Sequence, residues 1–248
     1  MYYALVITAA VLFGLQFFFN KLYQRQNGSG LRSATIFALG TSLVCAAAML
    51  CIQKFRIEFS AYSFCLAVLS AIILIAYIFC SIKAMEKISL SLYTVFGMLG
   101  GMVLPFLVGV FGYGEELTAK KILSAVLVLF ALTIGTDYKA GGKAIFYGIA
   151  VFFLNGLIGV LSTVHQAKTE LCVSSASFMF LKSILTAAIC LCLLIFFRKP
   201  KQIDERKTSF VKTFISVAGY GIMNGIGNWL VLVALNFIDA SLQYTLLT

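Results

Sequence analysis

The sequence predicts an all-α integral membrane protein, and three observations carry that prediction. Hydrophobic residues make up 61% of the 248 positions and charged ones 11%, with a mean hydropathy of +1.01, far from the composition of a soluble domain. Apolar runs of about 20 residues, the length a helix needs to cross a hydrocarbon core, recur along the whole chain between short polar breaks. The runs are apolar on all sides, whereas a membrane barrel would alternate apolar and polar residues in segments of about ten. A single domain embedded in a lipid bilayer therefore accounts for the chain.

The first predicted span covers 2–22. It has no basic leader and no small-residue cleavage pattern, so it is expected to be a retained helix rather than a removed signal peptide. Spans at 33–53, 62–83, 89–112 and 118–136 follow, then 143–165, 174–197 and 210–235, and a further apolar stretch starts at 240. That makes eight complete transmembrane helices plus the start of a ninth. In the fourth span Pro105 removes one backbone hydrogen bond and frees the Gly101 carbonyl, which predicts a kink. Gly97 and Gly101, and again Gly221 and Gly225, have the spacing that lets helix backbones approach closely. Rocking helices and static packing both suit that spacing.

The formal charge of +10 does not point to nucleic acid, because the basic residues sit in the breaks rather than on one face interleaved with aromatics. Thirteen of the 19 lie in the first, third, fifth and seventh breaks, and five in the second, fourth and sixth. Positive-inside bias then places the odd breaks in the cytoplasm and the amino terminus outside, in a multi-pass protein of the plasma membrane. The seven cysteines fall mostly within apolar runs, with no C-x-x-C pair and one histidine in the chain. Small-residue packing is the expected role; no metal site or cofactor is predicted.

An internal repeat emerges on sliding the chain along itself. An offset of 142 places Gly14 on Gly156, Gln24 on Gln166, Ser33 on Ser175 and Leu39 on Leu181; an offset of 150 places Ile72 on Ile222, Ala84 on Ala234, Ser91 on Ser241 and Leu92 on Leu242. The change of register falls at RKPKQIDERKTS, residues 198–209, the most polar stretch and the place where a loop insertion belongs. A unit of five helices inverts its second copy in the membrane. Inverted repeats of this kind are common in secondary transporters, whose site lies between the copies.

The stretches FGLQFFFNKLY at 13–23, AMEKISLSLYTVFGMLGGMVLPFLVGVFGYGEELTAKKILSAVLVLFALTIG at 84–135 and ALNFIDASLQY at 234–244 resemble the EamA-type permeases of the drug/metabolite transporter superfamily. The second stretch is the most specific, with a proline-bearing helix, a Gly114–Glu115 pair before Leu117 and Thr118, and a closing helix. The resemblance implies ten helices in two inverted five-helix halves around a central cavity. Residues 1–137 would form the first repeat and 143–248 an incomplete second one. Because Thr248 aligns with Met98 while the first copy runs on to Thr136, a complete homologue is expected to continue for about 40 residues.

Candidate site residues follow from polarity inside the spans. All nine acids lie in breaks or at span ends, so a buried carboxylate shared by a proton and a cationic drug is disfavoured. Lys182 is the exception among charges, about eight residues into the seventh span. Two readings stay open: a cavity residue, which would favour an anionic substrate, or a lysine that reaches back to the interface. Tyr220, Asn224 and Asn228 share one helical face; Asn155, Gly159, Ser162 and Gln166 share another; Gln16 and Asn20 a third. Amides facing lipid are costly, so these stripes are expected to face inward, either lining a cavity or joining helices. Tyr77 and Trp229 are candidate stacking residues, with packing as the alternative. Tyr93, Gln243 and Tyr244 complete the candidate set. His165, at a span end, is expected at the interface.

These features predict a permease moving a small polar metabolite, an amino acid or related compound among the options, by alternating access. A homodimer is allowed for. The alternatives are an inactive fragment or membrane scaffold and, less favoured, an intramembrane enzyme: no catalytic residue is predicted, since G-x-S-x-G, H-E-x-x-H and an acid pair within a span are all missing from the sequence.

Overall fold

The computed structural model describes residues 2–116, 118, 119, 122, 123, 126, 130, 142–168, 170–196 and 210–247. Among these, every regular element is helical. The helices are α1 (Tyr2–Asn27), α2 (Leu31–Ile52), α3 (Ala61–Lys87), α4 (Leu90–Leu107, continued by a π-helical turn Val108–Gly112), α5 (Gly142–Ala167), α6 (Ser175–Phe196), α7 (Phe210–Ala234) and α8 (Ala240–Leu246). Seven are long and apolar enough to cross a membrane. The eight complete spans expected are thus seven among the described residues, because most of the predicted span at 118–136 lies outside them. The stretch from 240 is helical for seven residues.

α1 and α3 outrun their predicted spans by about a turn, to Asn27 and Lys87. Hydrophobicity marks where lipid ends, whereas backbone hydrogen bonds carry the helix on into water. Past Pro105 the ladder shifts to the wider π turn, so the proline's disturbance appears as a local change of helix type.

The helices pack in a defined set of partners. α1 lies along α7 and α3 along α5; α2 lies along α6; α2 also meets α7, and α3 meets α6; α4 packs on α5 and meets α8. Buried side chains include small residues such as Ala67, Ala71 and Ala187, and outward positions carry Ile7, Val11, Leu69, Phe153 and Leu191. In lipid this inversion of the soluble pattern is expected, since tight packing rather than apolar burial draws helices together.

The glycines show where backbones meet. A Cβ on Gly100 would lie 1.9 Å from the Phe152 carbonyl oxygen, so α4 and α5 touch there through bare backbone. Gly221 and Gly225 serve α7 against α2 as their spacing predicts, with a Cβ meeting the Thr41 carbonyl oxygen at 2.8 Å and Cys45 Sγ at 2.8 Å. The Gly97 and Gly101 pair does something else. A Cβ on Gly97 would find only ordinary contacts, 3.6 Å from Phe17, while one on Gly101 would strike Asn155 Nδ2 at 2.8 Å. This pair makes room for an amide rather than for a helix.

Candidate functional site: a central cavity with one charge

A cavity of about 80 Å³ lies between the helices. Phe13, Gln16 and Phe17 come from α1, Leu74 and Tyr77 from α3, Met98 and Gly101 from α4, Asn155, Ile158 and Gly159 from α5, Lys182 from α6, and Asn224, Asn228 and Val231 from α7; Tyr244 and Leu247 close it. Gln16, Tyr77, Asn155 and Asn224 all fall near the middle of their helices, roughly 18 Å from either end at 1.5 Å per residue. The cavity sits at mid-membrane depth.

The amides predicted to face inward are held in place across helices. Asn224 Nδ2 donates to Gln16 Oε1 at 2.7 Å, joining α7 to α1. Asn155 Nδ2 donates to the Gly97 carbonyl at 2.7 Å, in the space Gly101 leaves open. Asn228 Nδ2 donates to the Asn224 carbonyl at 2.8 Å, and Tyr244 OH donates to the Gly159 carbonyl at 3.1 Å. Gln16, Asn155 and Asn224 both tie helices together and line the cavity, so for them the two alternatives left open by the sequence coincide, while Asn228 lines the cavity and bonds within its own helix.

Other candidates support the wall without forming it. Asn20 Nδ2 donates to Ser81 Oγ at 2.7 Å; Ser81 and the Tyr93 phenol are 2.5 Å apart, and Tyr93 OH and Tyr77 OH 3.0 Å apart. This chain of polar groups runs from α1 through α4 to Tyr77 at the cavity. Ser162 is turned back onto its own helix, donating to the Ile158 carbonyl. Gln243 is buried and donates to the Val231 carbonyl at 2.7 Å. Trp229 packs against two apolar clusters and is not among the residues lining the cavity. Helical spacing identifies a face but not which of its members reach the void.

Lys182 is 3% exposed and lines the cavity, so the interfacial reading of this lysine does not hold. It is the one charged residue among those lining the void. It also lines a small adjoining cavity of about 10 Å³, together with Thr41, Ser42, Cys45, Ser183, Tyr220 and Asn224. Tyr220 is therefore placed in this side compartment, one turn from Asn224.

Two carboxylates and a histidine that the sequence analysis did not assign to the site act at one end of the bundle, where the α2–α3, α5–α6 and α7–α8 connections lie. Gly114, at φ 68°, turns the chain after the π turn. Glu115 thereby reaches α8, accepting from the backbone N–H of Ala240 at 2.8 Å and of Ser241 at 2.9 Å, and from the Ser241 hydroxyl. Glu58 accepts from the Ser174 N–H at 2.6 Å, just ahead of α6. A carboxylate is well suited to both places, since a helix start presents unpaired N–H groups and positive dipole. Ser60 Oγ donates to the Leu171 carbonyl at 2.6 Å and Tyr62 OH to the Val164 carbonyl at 2.7 Å. His165, expected at the interface, is fully buried: its Nε2 is 3.0 Å from Ser63 Oγ and its ring stacks on Phe178 at 3.9 Å. The loop at 171–174 covers it, with the Val173 N–H donating to the same Ser63 oxygen.

No protein-family profile matches the chain, and no curated protein matches it. The structure is similar to a solved crystal structure described only as that of a protein, with a TM-score of 0.58, 15% sequence identity, and coverage of 99% of this chain and 84% of that one. At that identity the likeness shows a shared fold alone.

Proposed function

We propose that the chain is a secondary transporter of the EamA-type permease kind, moving a small polar metabolite across the plasma membrane by alternating access between two inverted repeats. The observation that carries this reading is the make-up of the cavity wall. At the offset of 142, Phe13 corresponds to Asn155, Gln16 to Ile158 and Phe17 to Gly159; at 150, Leu74 corresponds to Asn224; all eight line the void. A cavity lined by corresponding positions from both copies is what a site on the repeat axis requires.

Helix neighbours support the same reading. Exchanging α1–α4 with α5–α8 turns the α1–α7 pair into α5–α3, turns α2–α7 into α6–α3, and leaves α2–α6 and α4–α8 unchanged. The bonds between Tyr93 and Ser81 and between Gln243 and Val231 also join corresponding positions, each pair offset by 150. Among the described residues, most cross-repeat hydrogen bonds at the Glu58 and Glu115 end are 3.0 Å or shorter. At the other end, Thr213 to Asn27 and Ser216 to Gln26 are 3.3 and 3.5 Å. Firmer bonding at one end than the other among the described residues suits one state of an alternating cycle.

Uptake of a metabolite panel into proteoliposomes tests the proposal. Gln16→Ala and Asn224→Ala are each expected to cut flux about tenfold or more. The double variant should be little worse than either single one, because the two amides act as one hydrogen-bonded unit. Absence of flux for every solute in the panel would favour a membrane scaffold instead.

A further inference from the structure

We infer that the side compartment around Lys182 and Tyr220 is a binding subsite for the carboxylate of a singly charged organic anion, whose apolar body lies in the larger cavity. The inference rests on the transport reading for its purpose but not for its chemistry. Lys182 is 3% exposed, and among the described residues its ammonium has no hydrogen-bond partner and no carboxylate beside it. An unpaired ammonium at this depth is costly, and it persists where something supplies the opposite charge. None of the six acids among the described residues lines either cavity.

A second group points into the same compartment independently. The Tyr220 side chain is 2% exposed, and its hydroxyl is buried without a hydrogen-bond partner among the described residues. An unmet O–H in a membrane interior is costly. The two unmet groups line one small void, with the hydroxyl-bearing side chains of Ser42 and Ser183 and the Asn224 amide around it. Ammonium and phenol both donate, and a carboxylate accepts at two oxygens.

The larger cavity shares Leu74, Lys182 and Asn224 with this compartment and adds Phe13, Phe17, Tyr77 and Val231. That surface suits an aromatic or aliphatic body. With one fixed positive charge and no fixed negative one, a monoanion neutralises the site. A zwitterion would leave its ammonium with amide oxygens alone, and a cation would face Lys182 directly.

Purified protein in detergent, titrated with benzoate, butyrate, benzamide, benzylammonium and inorganic phosphate, tests the assignment by ligand-induced shifts in melting temperature. Benzoate or butyrate is expected to bind at least about thirtyfold more tightly than benzamide, and benzylammonium not at all. Lys182→Met and Tyr220→Phe should each leave the ligand-free melting temperature equal or higher, since each removes an unmet buried group, while weakening carboxylate binding about thirtyfold and severalfold respectively. Lys182→Arg should keep the preference for the anion. Equal binding of benzamide, preference for phosphate or the cation, failure of both carboxylates to bind, or retention of the carboxylate preference in Lys182→Met would each overturn the subsite. Carboxylate binding that depends on Lys182 without flux in proteoliposomes would leave the subsite standing and remove the transport reading. Flux of a neutral or cationic solute indifferent to Lys182 would do the reverse.

Discussion

Gly100→Val is expected to prevent α4 from docking on α5 and to lower the stability of the bundle by about 3 kcal/mol or more, at the upper end of what overpacking costs in a close-packed interior. The reason is local and severe. A Cβ at this position would stand 1.9 Å from the Phe152 carbonyl oxygen, and the obstruction is backbone, which cannot rotate aside as a side chain can. Relief requires the helices to separate, and separation also breaks the bond from Asn155 Nδ2 to the Gly97 carbonyl. Even Gly100→Ala should be strongly destabilising. Gly97→Ala is the matched control on the same helix, where the new methyl meets Phe17 at 3.6 Å in ordinary contact and should change stability by less than about 1 kcal/mol. Thermal unfolding in detergent, followed by loss of helical signal or by aggregation, distinguishes them. Equal melting temperatures for Gly97→Ala and Gly100→Ala would remove Gly100 from its role as the contact point.

The same pair shows how far the sequence could be read. Hydropathy located the helices well because each must match a hydrocarbon slab of fixed thickness, and Val6, Met49 and Ile82 sit buried inside helices found that way. Spacing marked Gly97 and Gly101 as close-contact residues, since four residues advance a helix by little more than a turn. It could not say which neighbour that face meets, and the neighbour proved to be the Asn155 amide, while the backbone contact fell at Gly100. The polar stripes behave alike. Gln16, Asn155, Asn224 and Asn228 reach the cavity, but Ser162 and Gln243, equally polar, are spent on the carbonyls of Ile158 and Val231. Burial of Lys182 turned on the path of a four-carbon stem, which no local pattern encodes. Glu115 and Glu58 were visible as acids at helix ends. Their partners lie on average more than a hundred residues away, at Ser241 and Ser174, so only the fold brings them together.

Glu115→Ala is expected to have the second large effect, on the end of the bundle that the carboxylates hold together. The substitution leaves the Ala240 and Ser241 N–H groups, donors at 2.8 and 2.9 Å in the native protein, without their acceptor. Each such loss costs about 1–3 kcal/mol where water does not fully replace it, which places the total near 2–6 kcal/mol for the docking of α8. α8 carries Tyr244, a cavity residue bonded to the Gly159 carbonyl, so loosening its start loosens one wall of the void. On the alternating-access reading, weakening this end shifts the population toward a state open there. Alkylation by N-ethylmaleimide, resolved by peptide mass spectrometry, reports the shift. Cys45 is 5% exposed and lines the side compartment, while Cys190 is fully buried and borders neither cavity. The Glu115→Ala protein should modify Cys45 severalfold faster than the parent with Cys190 unchanged, and adding Glu58→Ala should increase the rate further. General loosening of the bundle would instead raise both cysteines together. If neither rate moves although α8 has lost its cap, the carboxylate acts on local stability alone, and the end of the bundle it joins is not the one that opens.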